Sequence, residues 1–171
     1  MKMEKAFAEL DAIHQQLLET ITPVDEERFA RRPSPNEWSV AEIVHHLCLV
    51  ERRVIAELER ALSKPPVKVG FLQRMMPVAL LVGRRMVRVK APTAVEPLDP
   101  PSKEDALANY QSVRESLKAF SATHGGERLQ QLAMKHPFLG TFDGVGAVSF
   151  VGHHEMRHFR QIKETLRKLG S

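Results

Sequence analysis

The stretch Val151-Gly152-His153-His154-Glu155-Met156-Arg157-His158-Phe159-Arg160-Gln161-Ile162 holds the residue types best suited to chemistry. On a helix, His154 and His158 are four apart and project from one face, one turn apart. Two neutral imidazoles at that spacing can grip one divalent metal ion. The same face is apolar: Ala147 and Val151 lead into it, and Ile162, Thr165 and Leu169 continue it. An imidazole in such a stripe costs about 1–3 kcal/mol per unpaired polar group unless its nitrogens find partners. A metal is the first candidate partner. A third imidazole, His46, flanks another apolar face, one turn from both Ile43 and Val50. His46, His154 and His158 together would leave at least one position on an ion open to water or substrate, as catalytic rather than structural sites do. Hydrogen-bonded core histidines, or a vestigial site without an ion, are the competing reading of the same spacing.

His154-Glu155-Met156-Arg157-His158 also spells H-E-x-x-H, the zinc-peptidase pattern in which the glutamate is the general base. The continuation departs from it. Gln161 and Glu164 stand where the longer peptidase pattern needs glycine and histidine, and only a short tail follows His158. A third ligand must therefore come from upstream, as His46 would. Glu155 is a candidate catalytic base, and Glu51 is another, although Glu155 is expected on the helix surface. The doublets His45-His46 and His153-His154 leave each ligand ambiguous by one residue, and helical phase favours the second of each pair. Cys48 lies about 200° around the helix from His46, so it reads as a small buried filler rather than a nucleophile paired with that ring.

Four helical stretches must position these groups. The first runs from about Met3 to Ile21, with Phe7, Leu10, Ile13 or His14, Leu17 and Ile21 at helical spacing, and Pro23 ends it. A loop with about one turn of helix follows, from Val24 to Glu37. The second stretch opens on the capping box Ser39-Val40-Ala41-Glu42, with Trp38 just before it, and continues to about Ser63. The third begins after the N-cap Ser102, carries Tyr110 in its buried stripe, and is expected to stop at Gly125-Gly126. The fourth runs from about Val145 to Leu169. No strong strand pattern stands out. Between the second and third lies a proline-broken segment, residues 64–101, long enough to cross the bundle and join parallel neighbours. A partial helix is expected within Phe71 to Met86, with an extended strap after it. The cations Arg84, Arg85, Arg88 and Lys90 follow the apolar run Pro77 to Val82 and read as solvated side chains on a covering segment. A membrane-surface or partner-binding patch is the other reading.

At 171 residues the chain suits one domain, residues 1–171, with one sizeable core. The fold class is all-α, a four-helix bundle with a long crossover between its second and third helices. A net charge of +4 without a basic stripe argues against nucleic acid. No apolar run reaches the length needed to span a membrane. The single cysteine excludes an internal disulfide, and no signal-peptide core opens the chain, so the cytoplasm is the expected location.

Two segments carry a family resemblance. Trp38-Ser39-Val40-Ala41-Glu42-Ile43-Val44-His45-His46-Leu47, with Glu51 after it, resembles the first signature of the DinB-like (YfiT-like) superfamily. His154-x-x-x-His158-x-x-Gln161-Ile162 resembles the second, and the Lys135-His136-Pro137-Phe138-Leu139-Gly140 turn is similar to that of its members. The resemblance implies an up-down-down-up bundle and a divalent metal, zinc, nickel or iron, on the histidines matching His46, His154 and His158. It also implies a metal-dependent hydrolase or thiol S-transferase acting on a small molecule, in some members with a low-molecular-weight thiol. A homodimer is a further implication, with the apolar Phe71–Val82 crossover as its contact surface. The alternative is a non-catalytic bundle that binds a metal or small ligand, with a vestigial site. A buried carboxylate or arginine near the ion would favour the enzyme.

Overall fold

A computed structural model of the chain describes residues 3–67, 69–70, 93–136 and 139–170. The partial helix expected within Phe71–Met86, the cations Arg84, Arg85, Arg88 and Lys90, and the apolar Phe71–Val82 surface all lie outside these residues.

Helix α1 is Met3–Ile21, burying Leu10, Ile13, Leu17 and Ile21 on one side. The short α2, Glu26–Ala30, is capped by Asp25 and sinks Phe29 into the core. Helix α3 is Val40–Leu62. Its capping box is complete: Glu42 N–H donates to Ser39 Oγ at 3.2 Å, and Ser39 N–H donates to Glu42 Oε2 at 2.8 Å. A single 3-10 turn, Thr93–Val95, ends the crossover. Helix α4, Lys103–Leu129, starts at the Ser102 cap. Strands β1, Met134–His136, and β2, Gly140–Phe142, pair antiparallel with Lys135 opposite Thr141. Helix α5, Gly144–Lys168, starts at the Asp143 cap.

The contacts between helices settle the path. Leu10 lies against Gly152, and His14 against Glu155, so α1 and α5 run parallel. Arg52 donates to Asn109, and Arg128 to the carbonyl of Leu62, so α3 and α4 also run parallel. Leu10 meets Arg114 and Met3 meets Gly126, which makes α4 antiparallel to α1. The result is up-down-down-up. Two parallel helices in succession require the chain to travel back along the bundle, which is the work of the long crossover. The core forms two adjoining apolar clusters, one around Leu58, Leu117 and Val148, the other around Leu17, Ile43 and Ile162. Among the described residues no helix is long and apolar enough to cross a membrane.

Two local expectations need correction. Gly125 does break α4, at φ 73° and ψ 158°, yet the chain turns helical again as far as Leu129. Leu129 and Leu132 are both fully buried, and the extra turn is what carries them back into the core. The segment before α5 also forms a hairpin where no strand was expected. Three-residue strands are too short to show a period-two pattern. Gly144 lets this hairpin feed α5 tightly against the end of α4, since a Cβ there would stand 2.7 Å from the Leu129 carbonyl oxygen.

Ser39 is 1% exposed and holds one half of the capping box. Ser39→Ala is expected to cost about 1 kcal/mol, read as a lower urea midpoint with an unchanged slope. A midpoint equal to wild type would show that the cap contributes nothing to α3.

Candidate metal centre

Helices α3 and α5 each bring imidazole to the seam between them. His46 is 4% exposed and His158 6% exposed. His46, His154 and His158 each offer a ring nitrogen, and the three atoms lie within 4.8 Å of one another. The rings meet edge-on or tilted, with centroids 4.5–5.1 Å apart. Neither His45 nor His153 joins the cluster.

Hydrogen bonds at the outer nitrogens decide what the inner ones present. His46 Nδ1 lies 2.7 Å from the carbonyl oxygen of Val95, at the end of the crossover. A carbonyl only accepts, so Nδ1 carries the proton and Nε2 keeps its lone pair. His158 Nδ1 lies 2.9 Å from the carboxamide oxygen of Gln161, one turn on, which leaves its Nε2 in the same state. His46 Nε2 then faces His154 Nε2 at 3.3 Å. Two nitrogens bound at about 2.0–2.1 Å to one tetrahedral ion stand about 3.3 Å apart. That pair's spacing suits a shared divalent ion, and the outer nitrogens are oriented as metal-binding histidines usually are. The same spacing also suits an N–H···N bond with His154 as donor. The half-buried indole of Trp38 packs on His46 and His158, with centroids 5.0 and 6.3 Å apart, and the Phe150 ring packs on His154 at 5.7 Å.

Beside this seam lies a second polar cluster. Glu155, expected on the helix surface, is 1% exposed, because its side chain points into the bundle toward α4. Its Oε1 accepts from Tyr110 Oη at 2.5 Å and from Arg114 Nη2 at 2.6 Å, and its Oε2 is buried without a hydrogen-bond partner. Glu51 spends both oxygens on the same guanidinium, at 2.9 and 3.2 Å. Arg114 Nη1 reaches the Leu10 carbonyl oxygen at 3.3 Å. His14 stacks on Tyr110 at 4.2 Å and brings its Nδ1 to 3.8 Å from Glu155. Burial works against the charge on Arg114, but Glu155 and Glu51 outweigh it and raise its pKa further. The sequence pattern did not mark Arg114, and it marked His14 only as an alternative to Ile13 in the stripe of the first helix. A signal was present: each falls where its helix's apolar stripe should continue, four residues after Tyr110 and Leu10. Cys48 is buried, and burial pushes its thiol up to about 12, consistent with an inert filler.

Comparison with known proteins identifies the family and the fold. The sequence profile of the DinB superfamily matches residues 9–162. The uncharacterized protein YuaE of Bacillus subtilis (strain 168) is 29% identical over 147 residues, which are 85% of this chain and 88% of that one. TT2238, a four-helix bundle protein of known crystal structure, superposes with a TM-score of 0.64 at 18% identity, over 95% of this chain and 98% of that one. YfiT from Bacillus subtilis, described as a "probable metal-dependent hydrolase with an unusual four-helix bundle topology", does so at 0.64 and 16%, over 98% and 87%. At such identities the two structures speak to the fold.

The electrostatics of the centre give a pH signature. Burial lowers the pKa of His46, and burial together with the neighbouring His158 and His46 holds His154 well below the usual histidine range. An unfolded histidine titrates near about 6.5. Below that pH the unfolded chain binds more protons than the fold does, so stability is lost as pH falls toward the depressed folded values. The urea midpoint of the metal-free protein is expected to drop between about pH 7 and about pH 5, and less steeply in His154→Gln. A slope that His154→Gln leaves unchanged would contradict a depressed His154 pKa.

Proposed function

The chain belongs to the DinB superfamily, and on that premise we propose that it is a metal-dependent hydrolase or thiol S-transferase acting on a small molecule, with its ion held by His46, His154 and His158. The observation that carries this reading is the convergence of the three ring nitrogens, with the outer nitrogens of His46 and His158 tied to Val95 and Gln161. The description of YfiT as a metal-dependent hydrolase supports it. A divalent ion at that position, zinc, nickel or iron, would supply Lewis-acid chemistry: polarisation of a carbonyl and activation of a water or a thiol.

The remaining roles fall to the chain's own side chains. Val95 and Gln161 hold two of the rings in the tautomer that presents Nε2. Trp38 and Phe150 flank the cluster with aromatic surface, which shields it from bulk water and suits a small, partly apolar substrate. Glu155 is the proton acceptor in this reading, through Oε2, the oxygen that Tyr110 and Arg114 leave without a partner. Three neutral ligands add no negative charge, so an ion there keeps its full positive charge for the substrate.

Two measurements test the proposal. Purified protein is expected to carry close to one zinc, nickel or iron per chain by elemental analysis. His46→Ala, His154→Ala and His158→Ala should each lose most of it, while His124→Ala, whose ring packs on Phe120, should keep it. Equal loss from all four would mean the wrong ligands. The second measurement is a panel of small esters, amides and electrophiles, with and without low-molecular-weight thiols. Turnover should vanish with a chelator, return with added metal, and fall as pH drops below about 6.5, because metal binding needs neutral rings. Turnover that survives both chelation and His158→Ala would sink the metal mechanism.

A further inference from the structure

We propose that Arg114 is a positioning residue for the metal centre: its forked guanidinium locks α3 and α5 in the one axial register at which His46 meets His154 and His158. The inference rests on the three-histidine reading above and extends it to a residue on a helix that contributes no ligand. Arg114 is 3% exposed and sits on α4. Its Nε and Nη2 grip both oxygens of Glu51 on α3, and the same Nη2 takes Oε1 of Glu155 on α5. Glu155 is the residue after His154, and Glu51 lies five residues beyond His46, about 7.5 Å along α3. The clamp therefore acts within about a turn and a half of the ligands on both helices.

Apolar packing between α3 and α5 has no direction of its own. A planar fork with fixed donor angles does. Sliding either helix along the other would break the Arg114 bonds before it opened a gap in the apolar core. It would also pull His46 Nε2 away from His154 Nε2, now 3.3 Å distant. Tyr110, one turn before Arg114 on α4, adds its hydroxyl to the same oxygen of Glu155, and Arg114 Nη1 ties the clamp to the Leu10 carbonyl oxygen on α1. Lysine keeps the positive charge but not the fork, so Arg114→Lys separates charge neutralisation from register.

The test uses the full chain with zinc and cobalt ions as probes, well below the unfolding temperature. Zinc affinity is measured by competition with a chelator, site geometry by the visible absorption of bound Co2+, and folding by circular dichroism. Arg114→Lys and Glu51→Gln are expected to remain helical, to bind zinc about 10–100-fold more weakly, and to shift the Co2+ spectrum. Glu51→Gln keeps the side chain's shape and one acceptor, so it carries the test if Arg114→Lys does not fold. Wild-type zinc affinity with an unchanged Co2+ spectrum in a folded variant would overturn the inference and leave the three-histidine reading standing. No zinc binding by wild-type protein would overturn both.

Discussion

One guanidinium at the centre of the bundle answers to carboxylates on two helices and to a backbone carbonyl on a third. A charge buried at that depth is tolerable only when it is paired and its hydrogen bonds are filled. Breaking such a pair by removing one partner typically costs about 3–5 kcal/mol. Replacing the whole group with apolar side chains need not cost anything, so the cluster is poor evidence for stability as such. What it does impose is geometry. Apolar packing fixes the register of four helices less sharply than the set donor angles of Arg114 do.

The path of the chain feeds the metal centre in a second way. Because α3 and α4 run parallel, the chain must return along the bundle between them, and the end of that return passes His46. The carbonyl of Val95 stands there and accepts a hydrogen bond from the Nδ1–H of His46. An up-and-down bundle with short loops would have had no backbone at that point. The crossover is thus both a topological necessity and the source of one of the groups that orient the ligand. The other, Gln161, lies one turn beyond His158 on α5 and depends only on local helix geometry.

Fold and chemistry carry different weight here. The bundle is shared with TT2238 and YfiT at 16–18% identity, where the architecture persists although most side chains have changed. One scaffold can host several chemistries, so the function has to be argued from the site. In this chain the site brings three imidazoles together, with aromatic rings at its edge.

Much of this architecture could be read before any contact was known. Helix ends are written in local chemistry: Ser39 with Glu42, Ser102 with its following acids, and the periodic apolar stripes between them mark α1, α3, α4 and α5 to within a residue or a few. His154 and His158 declared themselves by a spacing that only a helix makes meaningful, and His46 by its place beside an apolar face. The hairpin at Met134–Phe142 stayed hidden because three-residue strands carry no period. The extra turn of α4 stayed hidden because the burial of Leu129, not the two glycines, decides where the chain goes. Glu155 was misplaced to the surface for a related reason. A polar residue on an apolar stripe looks like an interruption until its partner is known, and its partners Tyr110 and Arg114 stand 45 and 41 residues away. Local pattern determined the helices and the candidate ligands. Only the tertiary structure decided which helices face one another, and therefore that His14, Glu51, Arg114 and Glu155, one from each of the four long helices, come together in one cluster.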